Sequence, residues 1–170
     1  MSDSILTSNG ELCHYGRKGM KWGQSIFGDK PYKSPATRDF EKRSDKYEKR
    51  STKYSGKASA AKDPIKRIKY ANKAKLYKAK SNEEKRYAKR ASNLDAKVQK
   101  IARNMDKGER FSHFLLAGAY GARNYATARA AGLSEGRAMV DTLINNEVWA
   151  NSLRSEEITR RYAKKKDLLI

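Results

Sequence analysis

Apolar residues recur at a helical period in the middle of the chain. The clearest series is Tyr87, Ala91, Leu94, Val98, Ile101 and Met105, at intervals of four and three residues. This spacing is the heptad seam of a helix that packs along another helix. Followed in the same phase toward the N-terminus, the series meets Tyr77 and Tyr70 but also Lys73, Lys80 and Glu84. The pattern therefore predicts a seam that fades toward the start of this helix.

Start and stop signals divide the middle of the chain into two helices. Asp63 before Pro64 is a typical start, because aspartate caps the first turn and proline is tolerated there. The predicted helices span residues 37–55, ending near Gly56, and residues 64–107, ending at Gly108. The first helix has only a narrow stripe, formed by Phe40, Tyr47 and Tyr54. Such stripes fit a helical hairpin or a single extended arm, and the sequence leaves both open.

Small residues become frequent after about Glu109, and the charge density falls. One helical face combines small and apolar residues: Phe111, Phe114, Leu115, Gly118, Gly121, Ala122 and Tyr125. Gly132 is interpreted as a helix stop, Ser134 with Glu135 as the next start, and residues 155–157 as a further start. We expect the best-packed part of the molecule in this region.

Residues 1–35 show neither a helical period nor a strand-like alternation. Glycines recur there every three to six residues, and each costs a helix about 1 kcal/mol relative to alanine. The sequence thus predicts an all-α chain in three parts. These are a glycine-rich arm (residues 1–35), long basic helices (36–108) and a small helical cluster with a basic tail (109–170).

The charge balance points to a polyanionic partner. The chain has 39 basic and 19 acidic residues, a net charge of +20, and residues 38–107 alone carry 24 basic and 9 acidic residues, a net +15. This excess favours binding to nucleic acid through phosphates, without sequence preference, since no known DNA-reading motif is present. The candidate nucleic-acid-binding residues are Lys66, Arg67, Lys69, Lys73, Lys85, Arg86, Lys89 and Arg90. The tyrosines of the same helices either stack on exposed bases or are seam residues: Tyr47, Tyr54, Tyr70, Tyr77 and Tyr87.

Catalytic and metal chemistry find little support in the sequence. A single cysteine, Cys13, and two histidines exclude an intramolecular disulfide framework and a cysteine-rich or multi-histidine metal centre. Cys13 and His14 are adjacent in the arm without an orienting third group, so we interpret Cys13 as a free thiol. His113 is interpreted as a polar residue at a packed helix edge. We therefore predict no enzyme and no cofactor. No membrane partner is expected either, because no segment approaches the roughly 20 apolar residues of a membrane span.

The arm contains a compact run of glycines and large side chains. The predicted docking residues are His14, Tyr15, Gly16, Lys18, Gly19, Met20, Lys21, Trp22 and Gly23. A decapeptide cannot bury Trp22 by itself, so the segment docks on its own helices or on another chain. The alternative is a disordered arm with an incidental tryptophan.

This run resembles the His-x-Gly-x-Lys-Gly-Met-Lys-Trp-Gly peptide found in head and structural proteins of tailed bacteriophages of Gram-positive bacteria. Residues 121–125, 129–132 and 134–138 are also similar to a segment of such proteins. The resemblance implies a non-enzymatic, capsid-associated phage protein, located in the virion or the host bacterial cytoplasm. Its partners would be phage head proteins, or other virion components, and nucleic acid, DNA in particular. The alternative is a small phage effector that binds a host nucleic-acid machine; the sequence leaves the oligomeric state open.

Overall fold

The computed structural model describes residues 5–6, 12–13, 26–117, 120–144 and 148–165. The elements are β1 (Ile5–Leu6), β2 (Leu12–Cys13), α1 (Pro35–Ala60), α2 (Pro64–Asn104), α3 (Lys107–Ala117), α4 (Gly121–Ala130), α5 (Glu135–Ile144) and α6 (Val148–Ala163). The predicted all-α class is confirmed. Within these described ranges a minimal antiparallel pairing of β1 with β2 also occurs, in which Ile5 lies opposite Cys13.

The two long helices form an antiparallel hairpin. Three aromatic contacts fix its direction, because partners later in α1 meet partners earlier in α2: Phe40 with Tyr87, Tyr47 with Tyr77, and Tyr54 with Tyr70. Asp63 caps α2 as the sequence predicts, its Oδ1 accepting a hydrogen bond from the Ile65 amide at 2.8 Å. Of the two arrangements that the sequence left open, the structure has the hairpin, not the extended arm.

The seam between α1 and α2 does not fade. Besides tyrosines, small side chains of α2 line the seam. At the two positions where the predicted series meets Lys73 and Lys80, the next residue, Ala74 or Ser81, faces α1 instead. Ser81 is fully buried. The predicted fading was wrong because the seam continues on Ala74 and Ser81, which lie one residue out of phase with the apolar series. In the fold they let two helix backbones approach closely.

Two predicted helix ends were also wrong. Gly56 lies inside α1, and Gly108 lies in the first turn of α3, whose Glu109 amide donates to Asp106 Oδ1 at 2.7 Å. Glycine ends a helix where the backbone turns left-handed, and only Gly132, with φ of 104°, does so among the described glycines. The predicted start at residues 155–157 lies inside α6, where Ser155 is buried.

We call the end of the hairpin formed by the start of α1 and the end of α2 its base. The main hydrophobic core lies where this base meets the C-terminal helices. Its buried members are Ile26, Tyr32, Leu94, Val98, Ala102, Met105, Tyr125, Ala126, Ala128, Ala138 and Ile158. A second small cluster joins Phe40, Ala91 and Ala163. Arg160 of α6 adds an ion pair with Asp39 of α1 at 2.8 Å. The C-terminal helices therefore hold the base of the hairpin.

Residues 26–34, which the sequence assigned to the arm, lie against α2. Three polar residues spaced by four form one face of α2 and bind this segment: Asp95, Gln99 and Arg103. Gln99 Nε2 donates to the carbonyls of Gly28 (2.7 Å) and Lys30 (2.8 Å), and Arg103 also donates to Gly28 at 2.7 Å. The chain just after the glycine-rich peptide is thus fastened to the base of the hairpin.

Asp95 also stabilises the start of α1. Its Oδ2 accepts hydrogen bonds from the Ser34 amide (2.9 Å) and the Thr37 hydroxyl (2.6 Å), so a carboxylate of α2 lies at the positive end of α1. Burial raises the pKa of Asp95, and hydrogen bonds from Thr37 and Ser34 only partly oppose this effect.

Candidate nucleic-acid interface

The positive charge is concentrated at the far end of the hairpin. Residues 49–82, which we call the distal half, contain twelve Lys and Arg residues and one carboxylate, a net charge of +11. That carboxylate, Asp63, already caps α2. The contacts of α6 with the hairpin, at Asp39, Phe40 and Arg90, all lie outside the distal half. Cations therefore dominate this part of the surface.

Four tyrosines of the seam between α1 and α2 form a ladder of ring contacts, and three of them lie within the distal half. The ring-centroid distances are 6.2 Å for Tyr47 and Tyr77, 5.5 Å for Tyr77 and Tyr54, and 6.2 Å for Tyr54 and Tyr70. The rings are half-buried between α1 and α2. These tyrosines are seam residues, which agrees with one of the two interpretations that the sequence allowed; stacking on exposed bases stays a prediction.

Cationic side chains cover the ladder along one edge of the seam, which we call the tyrosine flank. The contacts to ring centroids are Arg50 over Tyr77 (5.6 Å), Lys57 over Tyr54 and Tyr70 (5.8 Å each), Lys73 over Tyr54 (5.4 Å) and Lys80 over Tyr47 (5.9 Å). All four cationic residues are exposed. A cation over a ring face is attracted by the ring quadrupole while its N–H groups remain able to donate.

The opposite edge of the seam carries a carboxylate instead. Glu48 of α1 pairs with Lys85 at 2.6 Å and with Lys78 at 3.2 Å. Hydrogen bonds from Lys85 and Lys78 lower the pKa of Glu48, so it is ionised at neutral pH. The two edges of the hairpin therefore differ, because Lys78 and Lys85 share an anion, whereas no carboxylate of the described residues pairs with the cations of the tyrosine flank.

The eight predicted nucleic-acid-binding residues do not form one cluster. Lys66, Arg67, Lys69 and Lys73 lie exposed in the distal half, whereas Lys85, Arg86, Lys89 and Arg90 lie nearer the base. Lys85 is paired with Glu48, and Arg90, half-buried, donates to the Ala163 carbonyl at 3.2 Å. Sequence reasoning missed Arg50, Lys57 and Lys80. The available signal was their position, three residues after a tyrosine of the seam.

The other residues singled out in the sequence have different outcomes. The docking peptide at residues 14–23 lies outside the described residues, so its role stays a prediction. Cys13 lies in β2, but His14 is outside the described residues, so the interpretation of Cys13 as a free thiol also stays a prediction. His113 is buried in α3 and stacks on Tyr125 with 4.2 Å between ring centroids. Burial lowers the pKa of His113, and the nearby Glu109 only partly opposes this shift. This position agrees with a packed polar residue.

Comparison with protein-family models, with curated proteins and with solved structures finds no match to this chain. Within the described ranges, no three potential metal-ligating residues come together. None of the helices described above is both long enough and apolar enough to cross a membrane. The functional argument therefore starts from the charge and geometry of the hairpin.

Proposed function

We propose that this protein is a non-enzymatic structural protein of a bacteriophage particle. In this proposal the distal half of the hairpin binds nucleic acid without sequence preference. The observation that carries it is the net charge of +11 over residues 49–82, with Asp63 as the only carboxylate. Lysines and arginines at this density release counterions from phosphates, which is the main source of non-specific affinity.

The position of these cations supports the same role. Contacts with α6 involve the base of the hairpin, at Asp39 and Arg90, and the distal half extends beyond them. A long polyanion can therefore approach the distal cations without displacing the C-terminal helices. The sequence contains no recognised base-reading motif, so the proposal is restricted to contacts with the nucleic-acid backbone.

The second part of the proposal is docking through the peptide at residues 14–23, whose resemblance to phage head proteins supports a head protein as partner. The structure adds one physical argument. Residues 26–34 are bound to α2 by Gln99 and Arg103, so a partner bound to the peptide would be held close to the base of the hairpin. The distal half would then be left to bind nucleic acid.

The nucleic-acid role is tested by measuring the affinity of the wild-type protein for two DNA duplexes of unrelated sequence over a range of salt concentrations. We expect log affinity to fall linearly with log salt, by about 0.9 for each phosphate contacted, with the same slope for both duplexes. Binding that ignores salt, or no binding at low salt, would contradict the proposal.

The structural role is tested on purified virions by quantitative mass spectrometry. A structural protein is expected in stoichiometric amounts relative to the head proteins. Absence from the virion, together with DNA binding in solution, would instead favour a phage effector that acts on a host nucleic-acid machine.

A further inference from the structure

We propose that the phosphodiester backbone of the nucleic acid binds along the tyrosine flank, on Arg50, Lys57, Lys73 and Lys80, which we call the cation rail. This inference rests on the proposed function and narrows it to one face of the hairpin and one chemical group of the ligand. Three members of the rail, Arg50, Lys57 and Lys80, are outside the set that the sequence predicted. The rail also gives the tyrosine ladder a role, which is to position cations.

A repeated register builds the rail from both helices. Each cation follows a seam tyrosine by three residues, and the pairs recur every seven residues: Tyr47 and Arg50, Tyr54 and Lys57, Tyr70 and Lys73, Tyr77 and Lys80. Residues three apart on a helix lie on neighbouring parts of one face. Because the helices are antiparallel, the same register on each brings all four cations to one edge of the seam.

The contacts place the cations in two pairs. Arg50 and Lys80 lie over Tyr77 and Tyr47, which contact each other, and Lys57 and Lys73 lie over Tyr54 in the next heptad. One heptad of helix rises about 10.5 Å. On one strand of a duplex this length corresponds to about three phosphates, at roughly 3.4 Å of axial rise each. The two pairs therefore match phosphates that are spaced along a continuous backbone, rather than a single isolated anion.

The rail differs from ordinary surface lysines in two respects that favour phosphate binding. None of its four members has a carboxylate partner within the described part of the chain, whereas Lys78 and Lys85 share Glu48. The ring contacts also restrict the long side chains before any ligand arrives, so less conformational entropy is lost when phosphate binds. A phosphate oxygen is a stronger partner for an ammonium than a ring face is, so the contacts can be exchanged.

Two matched quadruple variants test the inference. The rail variant replaces Arg50, Lys57, Lys73 and Lys80 by Gln, and the control variant replaces Lys66, Arg67, Lys69 and Lys75 by Gln. Each removes one arginine and three lysines from the distal half. Glutamine has nearly the helix propensity of lysine and arginine, so helicity by circular dichroism should be retained. Three of the control positions are nucleic-acid-binding residues that the sequence predicted. The comparison therefore tests the rail directly against the set predicted from the sequence.

The measurement is the slope of log affinity against log salt for a mixed-sequence DNA duplex. The rail variant should flatten the slope by about 3.6, which is four contacts at 0.9 each, and the control variant by less than half of that. Equal effects of the two variants would overturn the rail and leave non-specific binding by the distal half intact. A wild-type protein that does not bind DNA would instead overturn the proposed function itself.

A third variant separates ring support from charge. The double substitution Tyr54→Leu and Tyr77→Leu keeps every cation and an apolar seam but removes two of the rings beneath the rail. We expect several-fold weaker DNA binding at unchanged net charge, and unchanged affinity would overturn the positioning role of the ladder. Polyglutamate serves as a competitor. The inference is wrong if two results are found together: polyglutamate displaces the duplex at equal charge concentration, and the rail variant binds polyglutamate and DNA more weakly to the same degree. The rail would then be a surface for an acidic protein.

Discussion

Ser81 of α2 donates a hydrogen bond from its hydroxyl to the backbone carbonyl of Ser44 in α1, at 3.1 Å. Ser51 of α1 makes the equivalent contact in the other direction, to the carbonyl of Ala74 at 3.0 Å. A short hydroxyl reaches the opposite backbone only where the two helices lie very close together. Small residues in the seam therefore set the separation of the hairpin, and the tyrosines fill its edge.

The first prediction concerns this close approach. Ser81→Leu should lower the free energy of unfolding by about 1–3 kcal/mol or more, because it overpacks a fully buried position and removes a hydrogen bond. Ser81→Ala removes only the hydrogen bond and should cost about 0.5–1.5 kcal/mol. Urea denaturation measures both. The control Ala79→Leu changes an exposed position of the same helix and should be nearly neutral. If Ser81→Leu leaves the free energy of unfolding unchanged, Ser81 does not lie in the close contact between α1 and α2.

The second prediction concerns the buried ion pair between α5 and α6. Arg154 Nε donates to both carboxylate oxygens of Asp141 (2.9 and 3.1 Å), and Asp141 is 1% exposed. Arg154→Met should therefore destabilise the fold by about 3–5 kcal/mol, because a buried carboxylate loses its guanidinium partner. Adding Asp141→Leu should recover most of this loss.

The matched control for the ion pair is Lys33→Met, which breaks an exposed pair with Glu41 (2.7 Å). Its effect should stay within about 1 kcal/mol, because solvent screens an exposed pair. Equal effects of Arg154→Met and Lys33→Met on the free energy of unfolding would contradict the buried pair as a source of stability.

The third prediction compares two aspartates that cap helices. Asp95 caps α1 from another helix and is buried, whereas Asp63 caps its own helix and is exposed. Asp63→Ala should cost about 1 kcal/mol. Asp95→Ala should cost more, about 1–3 kcal/mol, because it leaves several buried donors without an acceptor. It should also speed amide hydrogen exchange at Ser34, which Asp63→Ala should leave unchanged.

The fourth prediction is a pH dependence from His113. Burial lowers the pKa of His113 below its ordinary value of 6.5, so the unfolded chain binds a proton more readily than the folded protein. The stability from this group is full above about pH 6.5 and decreases as the pH falls below it. His113→Phe keeps a ring against Tyr125 and removes the titration. From about pH 7.5 to 5.5 the wild type should therefore lose more stability than the variant, and parallel losses would exclude this role.

Several features of the fold were predictable because they are local. The start of α2 follows from Asp63 and Pro64, and the end of α4 follows from Gly132, whose backbone is left-handed. The all-α class follows from the absence of alternation and from the lysine- and alanine-rich composition. The two helix boundaries depend on signals within a few residues, and the fold class depends on composition, so neither requires knowledge of contacts between distant segments.

The features that the sequence did not reveal depend on contacts between distant segments. The phase of the seam rests on Ala74 and Ser81, which lie one residue out of phase with the apolar series of the sequence. The attachment of residues 26–34 rests on Gln99, which resembles any solvated glutamine until the segment that it binds is known. Likewise, Lys80 differs from Lys66 only because a tyrosine of the other helix lies beneath it.

The site of nucleic-acid binding can be observed directly by following the tyrosine ring signals in carbon–proton NMR spectra during titration with a DNA duplex. Tyr47, Tyr54, Tyr70 and Tyr77 lie beneath the cation rail. The account predicts that their ring signals shift progressively to saturation. Tyr32 and Tyr125, buried in the main core, serve as internal references and should stay in place. Ladder signals that remain unchanged when the DNA is fully bound would contradict the account.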